Sequence, residues 1–105
     1  MKIKINSEEF EVIPCISFFS KFRGLMFSRK KNLLFIFKIK SRQFIHTFFV
    51  FFPITIIFLD EAYNVLEYKY IYPFQIYPTQ NKAKYIIEIP KKLENVNKVT
   101  YICGN

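Results

Sequence analysis

The chain has 105 residues, of which 51% are hydrophobic and 20% aromatic, and it carries 16 basic against 8 acidic side chains. A chain of this length and hydrophobicity can bury one core, which excludes a disordered protein and predicts a single domain over residues 1–105. No acidic residue occurs between Glu11 and Asp60, so this basic stretch predicts weak electrostatic contact with nucleic acid or anionic surfaces.

Short segments of alternating or β-favouring apolar residues recur along the chain, and each predicts a β-strand. The predicted strands cover residues 2–5, 10–13, 33–40, 43–50, 54–60, 64–71, 84–89 and 98–103, with a loop at 72–82. Residues 17–26 differ, because apolar residues at helical spacing follow Ser17 and Gly24 lies near the end, which predicts one short helix. Together these elements predict a mostly β fold, α+β at the margin: a compact antiparallel β-sandwich or barrel-like domain.

Residues 44–61, FIHTFFVFFPITIIFLDE, form a long apolar block. Its apolar part ends at Leu59 and is shorter than the roughly 20 residues that a helix needs to cross a bilayer. Pro53 interrupts the block, and its Phe, Ile, Thr and Val residues favour strands over a helix. We therefore predict two buried strands, residues 43–50 and 54–60, and no transmembrane span.

The two cysteines, Cys15 and Cys103, show none of the paired spacings that bind metals, so we predict no metal site. The N-terminal sequence MKIKINSEEFEVIP lacks the apolar run of an export signal. We therefore predict two reduced thiols in a cytoplasmic protein. The sequence contains only two glycines, Gly24 and Gly104, so it has no glycine-rich phosphate loop and we expect no cofactor.

Four motifs occur in order: RGLMFSRK at residues 23–30, LLFIF at 33–37, IHTFFVFFPITIIFLDE at 45–61 and YIIEIP at 85–90. In order and spacing they resemble domain-of-unknown-function family 192, an uncharacterised protein family, with a family-like core at about residues 10–92. The resemblance implies a compact β-sandwich-like domain and no established activity.

The sequence also departs from that family. Val50 and Thr55 stand where the family usually carries Met and Asp, and no glycine follows the last motif around Lys91. A turn glycine is usual after FLD, whereas this chain has Ala62, Tyr63 and Asn64 at that place. Of these, Asn64 is the candidate for a left-handed turn position. The missing acidic group at Thr55 argues against one active site built from the family's polar groups.

Three polar residues are candidates for a site: Arg23, His46 and Asp60. His46 and Arg23 match the family's motifs. His46 is interpreted as a neutral core histidine or as a catalytic or ligand-binding group. Arg23 either binds an anion or pairs with Asp60. Asp60 is either a site carboxylate or a turn residue that bonds to nearby backbone.

These observations favour a small, soluble, non-enzymatic binding or accessory domain whose partner is unknown. One alternative is an enzyme that acts on a small anionic substrate through His46, Arg23 and Asp60, which requires the three side chains to converge on one pocket. The other is a weak nucleic-acid binder that uses the basic segment 21–42, which requires lysines to share a face with exposed aromatic rings.

Overall fold

The computed structural model describes residues 1–15, 30–41, 44–47 and 50–103, and for residues 39, 41 and 44–46 it describes the backbone alone. These residues form ten strands. In chain order they are β1 (Lys2–Ile5), β2 (Glu8–Glu11), β3 (Ile13–Cys15), β4 (Leu33–Ser41), β5 (Phe44–His46), β6 (Ile54–Leu59), β7 (Val65–Ile71), β8 (Ile76–Pro78), β9 (Ala83–Ile89) and β10 (Val99–Cys103).

The strands form three sheets. One antiparallel sheet has the order β10-β1-β2, and β5 pairs with β8 in an antiparallel two-stranded sheet. The largest sheet has the order β3-β4-β9-β6-β7. Its strand pairs are antiparallel except for β3 and β4, which run parallel. The hairpin of β6 and β7 therefore lies at one side of this sheet, with β6 more central.

The five-stranded sheet carries a hydrophobic core on each face. One cluster contains Leu33, Phe35, Ile56, Phe58 and Ile86, and Tyr77 of β8 packs against it. The second cluster joins residues of this sheet to the three-stranded sheet, and it includes Ile57, Ile87, Ile3, Ile5 and Val99. Because successive side chains of a strand point to opposite faces, the five apolar residues of β6, all buried, supply both clusters. This double burial explains why every residue of β6 except Thr55 is apolar.

The predicted mostly β fold is confirmed. The strands predicted at residues 2–5, 33–40, 54–60, 64–71, 84–89 and 98–103 are present, with ends shifted by about one residue. The short helix predicted at residues 17–26 lies outside the described residues, and the described part of the chain contains no helix. The described residues thus support the β part of the fold prediction, and the helix is not among them.

Three local predictions need correction. The strand predicted at residues 10–13 spans the end of β2 and the start of β3. The strand predicted at 43–50 is shorter, because β5 ends at His46 and Thr47 bonds to a loop. The loop predicted at 72–82 contains β8, which pairs with β5. A purely antiparallel fold is also excluded by the parallel pair of β3 and β4.

The described part of the chain contains no helix that could span a membrane.

Candidate functional site

Thr47 is the centre of a hydrogen-bond network that fixes the loop after β7. Its buried hydroxyl donates to the carbonyl of Tyr72 at 2.8 Å and accepts from the amide of Gln75 at 2.8 Å. Its backbone carbonyl accepts from the amides of Phe74 at 2.9 Å and Val50 at 3.2 Å. Because buried polar groups are costly when unpaired, this network holds residues 72–75 in one conformation.

The same loop holds Phe74 in a strained conformation. Phe74 has a φ of 59° in the left-handed region, which costs a residue with a Cβ about 1–2 kcal/mol. Its ring is 54% exposed and contacts the 62% exposed ring of Phe51 edge to face, with centroids 5.9 Å apart. Strained backbone positions often cluster at active sites and ligand-binding sites.

Further exposed apolar side chains flank this ring pair. Tyr72 and Ile76, like Phe51 and Phe74, are more than half exposed. We call these four residues the aromatic patch. Two exposed rings in contact form a continuous apolar surface, which favours association with another molecule over contact with water.

A second set of bonds steadies the segment next to the patch. Tyr77 on β8 donates its hydroxyl hydrogen to Glu67 at 2.8 Å, and Asn81 donates to the other carboxylate oxygen of Glu67. Burial, together with the hydrogen bond to Glu67, raises the pKa of Tyr77 to about 12. The hydroxyl therefore stays protonated and remains a donor at neutral pH, so β8 stays attached to β7.

Asp60 lies at the far end of β6, and its carboxylate is committed to its own turn. One oxygen accepts from the amides of Ala62 and Asn64, both at 2.9 Å, and the other accepts from the Asn64 side chain at 3.0 Å. The Asn64 side-chain bond is the largest cause of a lowered pKa for Asp60. The carboxylate thus does what the turn interpretation predicts, and its hydrogen bonds are local.

The left-handed position of this turn differs from the predicted one. Tyr63 has a φ of 65°, whereas Asn64 is not among the residues with positive φ. Asn64 instead uses its side-chain amide as a donor to Asp60. A tyrosine thus occupies the left-handed position of a turn in which the family resemblance implies a glycine.

Arg23 and the side chain of His46 lie outside what the structure describes. The backbone of His46 ends β5, opposite Ile76 of the aromatic patch. Convergence of Arg23, His46 and Asp60 on one pocket therefore stays a prediction. Among the described residues no group of three or more His, Cys, Asp or Glu is placed to hold a metal ion.

Glu88 is a buried acid that the sequence analysis did not single out. Its side chain is 8% exposed, and its neighbours across the strands are Leu33 on β4 and Ile56 on β6. Burial raises the pKa of Glu88 to about 7. The signal in the sequence was a single acid inside the apolar motif YIIEIP, at an inward position of a central strand.

Comparison with known proteins places this fold in a family. The DUF192 family model, described as "Uncharacterized ACR", matches residues 1–100. The chain belongs to the DUF192 family. The match extends beyond the core at about residues 10–92 that the motifs indicated, and it confirms the resemblance read from them.

Relatives and a solved structure agree with this assignment. A UPF0127 protein of Pyrococcus horikoshii is 37% identical over 91 residues, which cover 84% of this chain and 79% of that protein. A UPF0127 protein of Thermococcus sibiricus is 38% identical over 78 residues, or 70% of this chain. This chain matches 51% of the Thermococcus protein, about half its length.

The fold itself resembles a crystal structure of a protein of unknown function from Novosphingobium aromaticivorans. The two share a TM-score of 0.79 at 14% sequence identity, over 95% of this chain and 84% of the other. At this identity the likeness concerns the fold. Function must therefore be argued from the residues of this chain.

Proposed function

We propose that residues 1–105 form a single cytoplasmic domain that binds a protein partner through the aromatic patch and performs no chemistry itself. The observation that carries this proposal is the strained, exposed Phe74 in contact with exposed Phe51. Glycine would relieve the backbone strain at this position. A phenylalanine there gives up stability and gains an aromatic ring in a fixed position on the surface.

The rigidity of the patch supports binding over simple exposure. Aromatic anchors contribute most to protein interfaces, and they bind best when little conformational freedom is lost on association. The Thr47 network fixes the loop that carries Tyr72 and Phe74, and the ring contact orders Phe51. The patch is therefore ordered before a partner arrives.

Charge indicates the chemistry of the partner. The chain carries a net charge of +8. Complementary charge speeds association and orients the partner. We therefore expect the partner to present an apolar pocket with acidic residues at its rim.

One further observation bears on the proposal. The carboxylate of Asp60 accepts three hydrogen bonds from its own turn, which argues against a catalytic role for it. The enzyme and nucleic-acid alternatives remain predictions.

A photo-crosslinking experiment tests the proposal. The photoreactive amino acid p-benzoylphenylalanine replaces Phe74 in one variant and Phe51 in another, and both are expressed in the native host. Tyr68, an exposed tyrosine on β7, is the control position. We expect one crosslinked protein shared by positions 51 and 74 and absent from position 68. Identical crosslinks from all three positions would contradict the proposal.

The crosslinked protein is then purified and its affinity measured. Phe74→Gly removes the ring and relieves the strain, so we expect the variant to keep its fold, and thermal unfolding checks this. We expect Phe74→Gly to weaken binding by about tenfold or more, as for other aromatic anchors, and Tyr68→Gly to leave it unchanged. Equal affinity of wild type and Phe74→Gly would refute the role of the patch.

A further inference from the structure

A groove lies at the opposite end of the β6–β7 hairpin from the aromatic patch. It has a volume of about 610 Å³, within the range of small-molecule sites. One wall is the turn at residues 61–65, and the other is formed by residues 97–101, which include the start of β10. The groove shares no lining residue with the aromatic patch.

Both walls are fixed by side chains that bond to the backbone. Asp60 holds the turn through its bonds to the amides of Ala62 and Asn64. Asn6 holds the other wall, since its side-chain oxygen accepts from the amides of Asn97 at 2.9 Å and Lys98 at 3.2 Å. A groove whose walls are ordered in advance loses little entropy when a ligand binds.

A tyrosine cluster lies at the groove. The strained turn places the ring of Tyr63 4.6 Å from that of Tyr85 and 6.3 Å from that of Tyr101, between centroids. Burial and the neighbouring tyrosines raise the pKa of Tyr63 to about 12, so its phenol is uncharged at neutral pH. Tyr63 and Tyr101 line the groove and offer aromatic faces and hydroxyl groups to a ligand.

Beside the apolar Ala62, Val65 and Val99, the lining contains polar groups that offer donors and acceptors. Asn97 supplies an amide and Lys98 an ammonium. Glu61 also lines the groove, and its carboxylate forms an ion pair of 3.2 Å with Lys40. The lining therefore combines aromatic surface with uncharged hydrogen-bonding groups and nearly balanced charge.

From this lining we infer that the groove binds an uncharged saccharide. A sugar ring has a C–H face that packs against an aromatic ring, and hydroxyls that exchange hydrogen bonds with amide and hydroxyl groups. Both features match Tyr101 together with Asn97. The sugar contacts the exposed side of the Tyr101 ring, while its hydroxyls reach the polar side chains of the same wall.

Other ligand classes fit less well. A phosphate group needs several cationic or backbone N–H donors, whereas Lys98 is the sole basic residue among the described residues that line the groove. A quaternary ammonium ion would be attracted by the rings, but the Glu61 carboxylate is already paired with Lys40, and Lys98 adds a positive charge. An apolar ligand would leave the amide and hydroxyl groups without partners.

The test is an NMR titration of the ¹⁵N-labelled protein. Chitotriose, cellotriose and maltotriose are added to roughly 10 mM each, a concentration that detects millimolar affinity. ATP and choline are added in parallel as the anionic and cationic competitors. We expect one or more trisaccharides to shift the amide signals of residues 61–65 and 97–101, with smaller effects from ATP and choline.

Two groove variants and one matched control decide the assignment. Tyr101→Ala removes a ring that is 45% exposed, and Tyr68→Ala removes a ring that is 40% exposed on β7, outside the groove lining. We expect Tyr101→Ala to weaken saccharide binding by about tenfold, in line with losing one stacked ring, and Tyr68→Ala to leave it unchanged. Asn97→Ala, at an exposed position, is the second groove variant and should weaken binding as well.

Three outcomes would overturn the inference. The first is that none of the trisaccharides shifts groove signals. The second is binding that Tyr101→Ala and Asn97→Ala both leave unchanged, which would place the sugar elsewhere. The third is stronger binding of ATP or choline in the groove, which would assign the site to a charged ligand.

Discussion

The buried hydroxyl of Thr55 donates a hydrogen bond of 2.6 Å to the carbonyl of Lys91, and it accepts one of 3.2 Å from the amide of Leu93. Thr55 thereby anchors the segment that follows β9 to the centre of the five-stranded sheet. The family resemblance implies an acid at position 55. Thr55 stands there in this chain, and its hydroxyl has a structural role.

We expect Thr55→Val to destabilise the protein by about 1–3 kcal/mol, because the substitution keeps the shape but leaves a carbonyl and an amide without partners. Urea unfolding measures the change. Thr55→Ser retains the hydroxyl and should lose clearly less stability than Thr55→Val. Equal losses in the two variants would show that the methyl group, and not the hydrogen bonds, matters.

Thr47→Val should loosen the loop that carries the aromatic patch. The amide of Gln75 loses its 2.8 Å bond to the Thr47 hydroxyl, so its hydrogen exchange should become faster. Stability should fall by about 1–3 kcal/mol, since the buried hydroxyl serves several partners. Hydrogen exchange followed by NMR checks this, with Thr47→Ser as control. Unchanged exchange at Gln75 in Thr47→Val would contradict the network.

Glu88 should make stability depend on pH. Its folded pKa of about 7 lies above the ordinary value of 4.5, so between these two values the folded state binds a proton that the unfolded state has lost. Stability is therefore highest below about pH 4.5 for this group and falls as pH rises to about 7, by roughly 3 kcal/mol in total.

The pH effect is measured by urea unfolding of wild type and Glu88→Gln between about pH 5 and 8. Glutamine has a similar shape and does not titrate, so the difference between the two proteins isolates Glu88 from other titrating groups. We expect the wild type to lose stability relative to Glu88→Gln as pH rises. A difference that is constant with pH would refute the raised pKa.

The Asp60 turn gives a prediction with the opposite sign. The Asn64 side chain lowers the pKa of Asp60 below its ordinary value of 3.8. The stabilisation from this carboxylate is present above that pH and is lost as pH falls through the lowered pKa. In an NMR titration, Asn64→Ala should raise the pKa of Asp60 toward 3.8, and an unchanged pKa would contradict the assignment.

Phe74→Gly separates stability from binding. Relief of the left-handed strain gains about 1–2 kcal/mol, while loss of the exposed contact with Phe51 costs about 1 kcal/mol. We expect an unchanged or raised midpoint in thermal unfolding. Phe51→Ala, which loses the contact without relieving strain, should lower the midpoint and is the matched control. A large drop for Phe74→Gly would mean that the ring supports the fold.

Much of the β-structure could be predicted from local sequence. The run of apolar residues in β6, interrupted only by Thr55, reflects the burial of both faces of this strand, and this pattern is visible in the sequence itself. Pro53 lies between β5 and β6, as predicted for a proline that divides the central motif into two strands. The family was also recognisable, because four motifs kept their order and spacing.

Other features depended on contacts between residues distant in sequence. The pairing of β5 with β8 and the parallel pairing of β3 with β4 join segments whose own residues do not encode their partners. Thr47 looked like one more strand residue, and only the loop around Gln75 gives its hydroxyl a role.

The sequence by itself determined most of the strands, the mostly β class and the family, because these follow from local periodicity and motif order. The tertiary structure decided where the candidate sites lie. Tyr63, Tyr85 and Tyr101 are separated along the chain and meet only after β6, β9 and β10 have packed. Glu88 acquires its raised pKa only when the strands on both sides of it remove water, since desolvation is a property of the folded core.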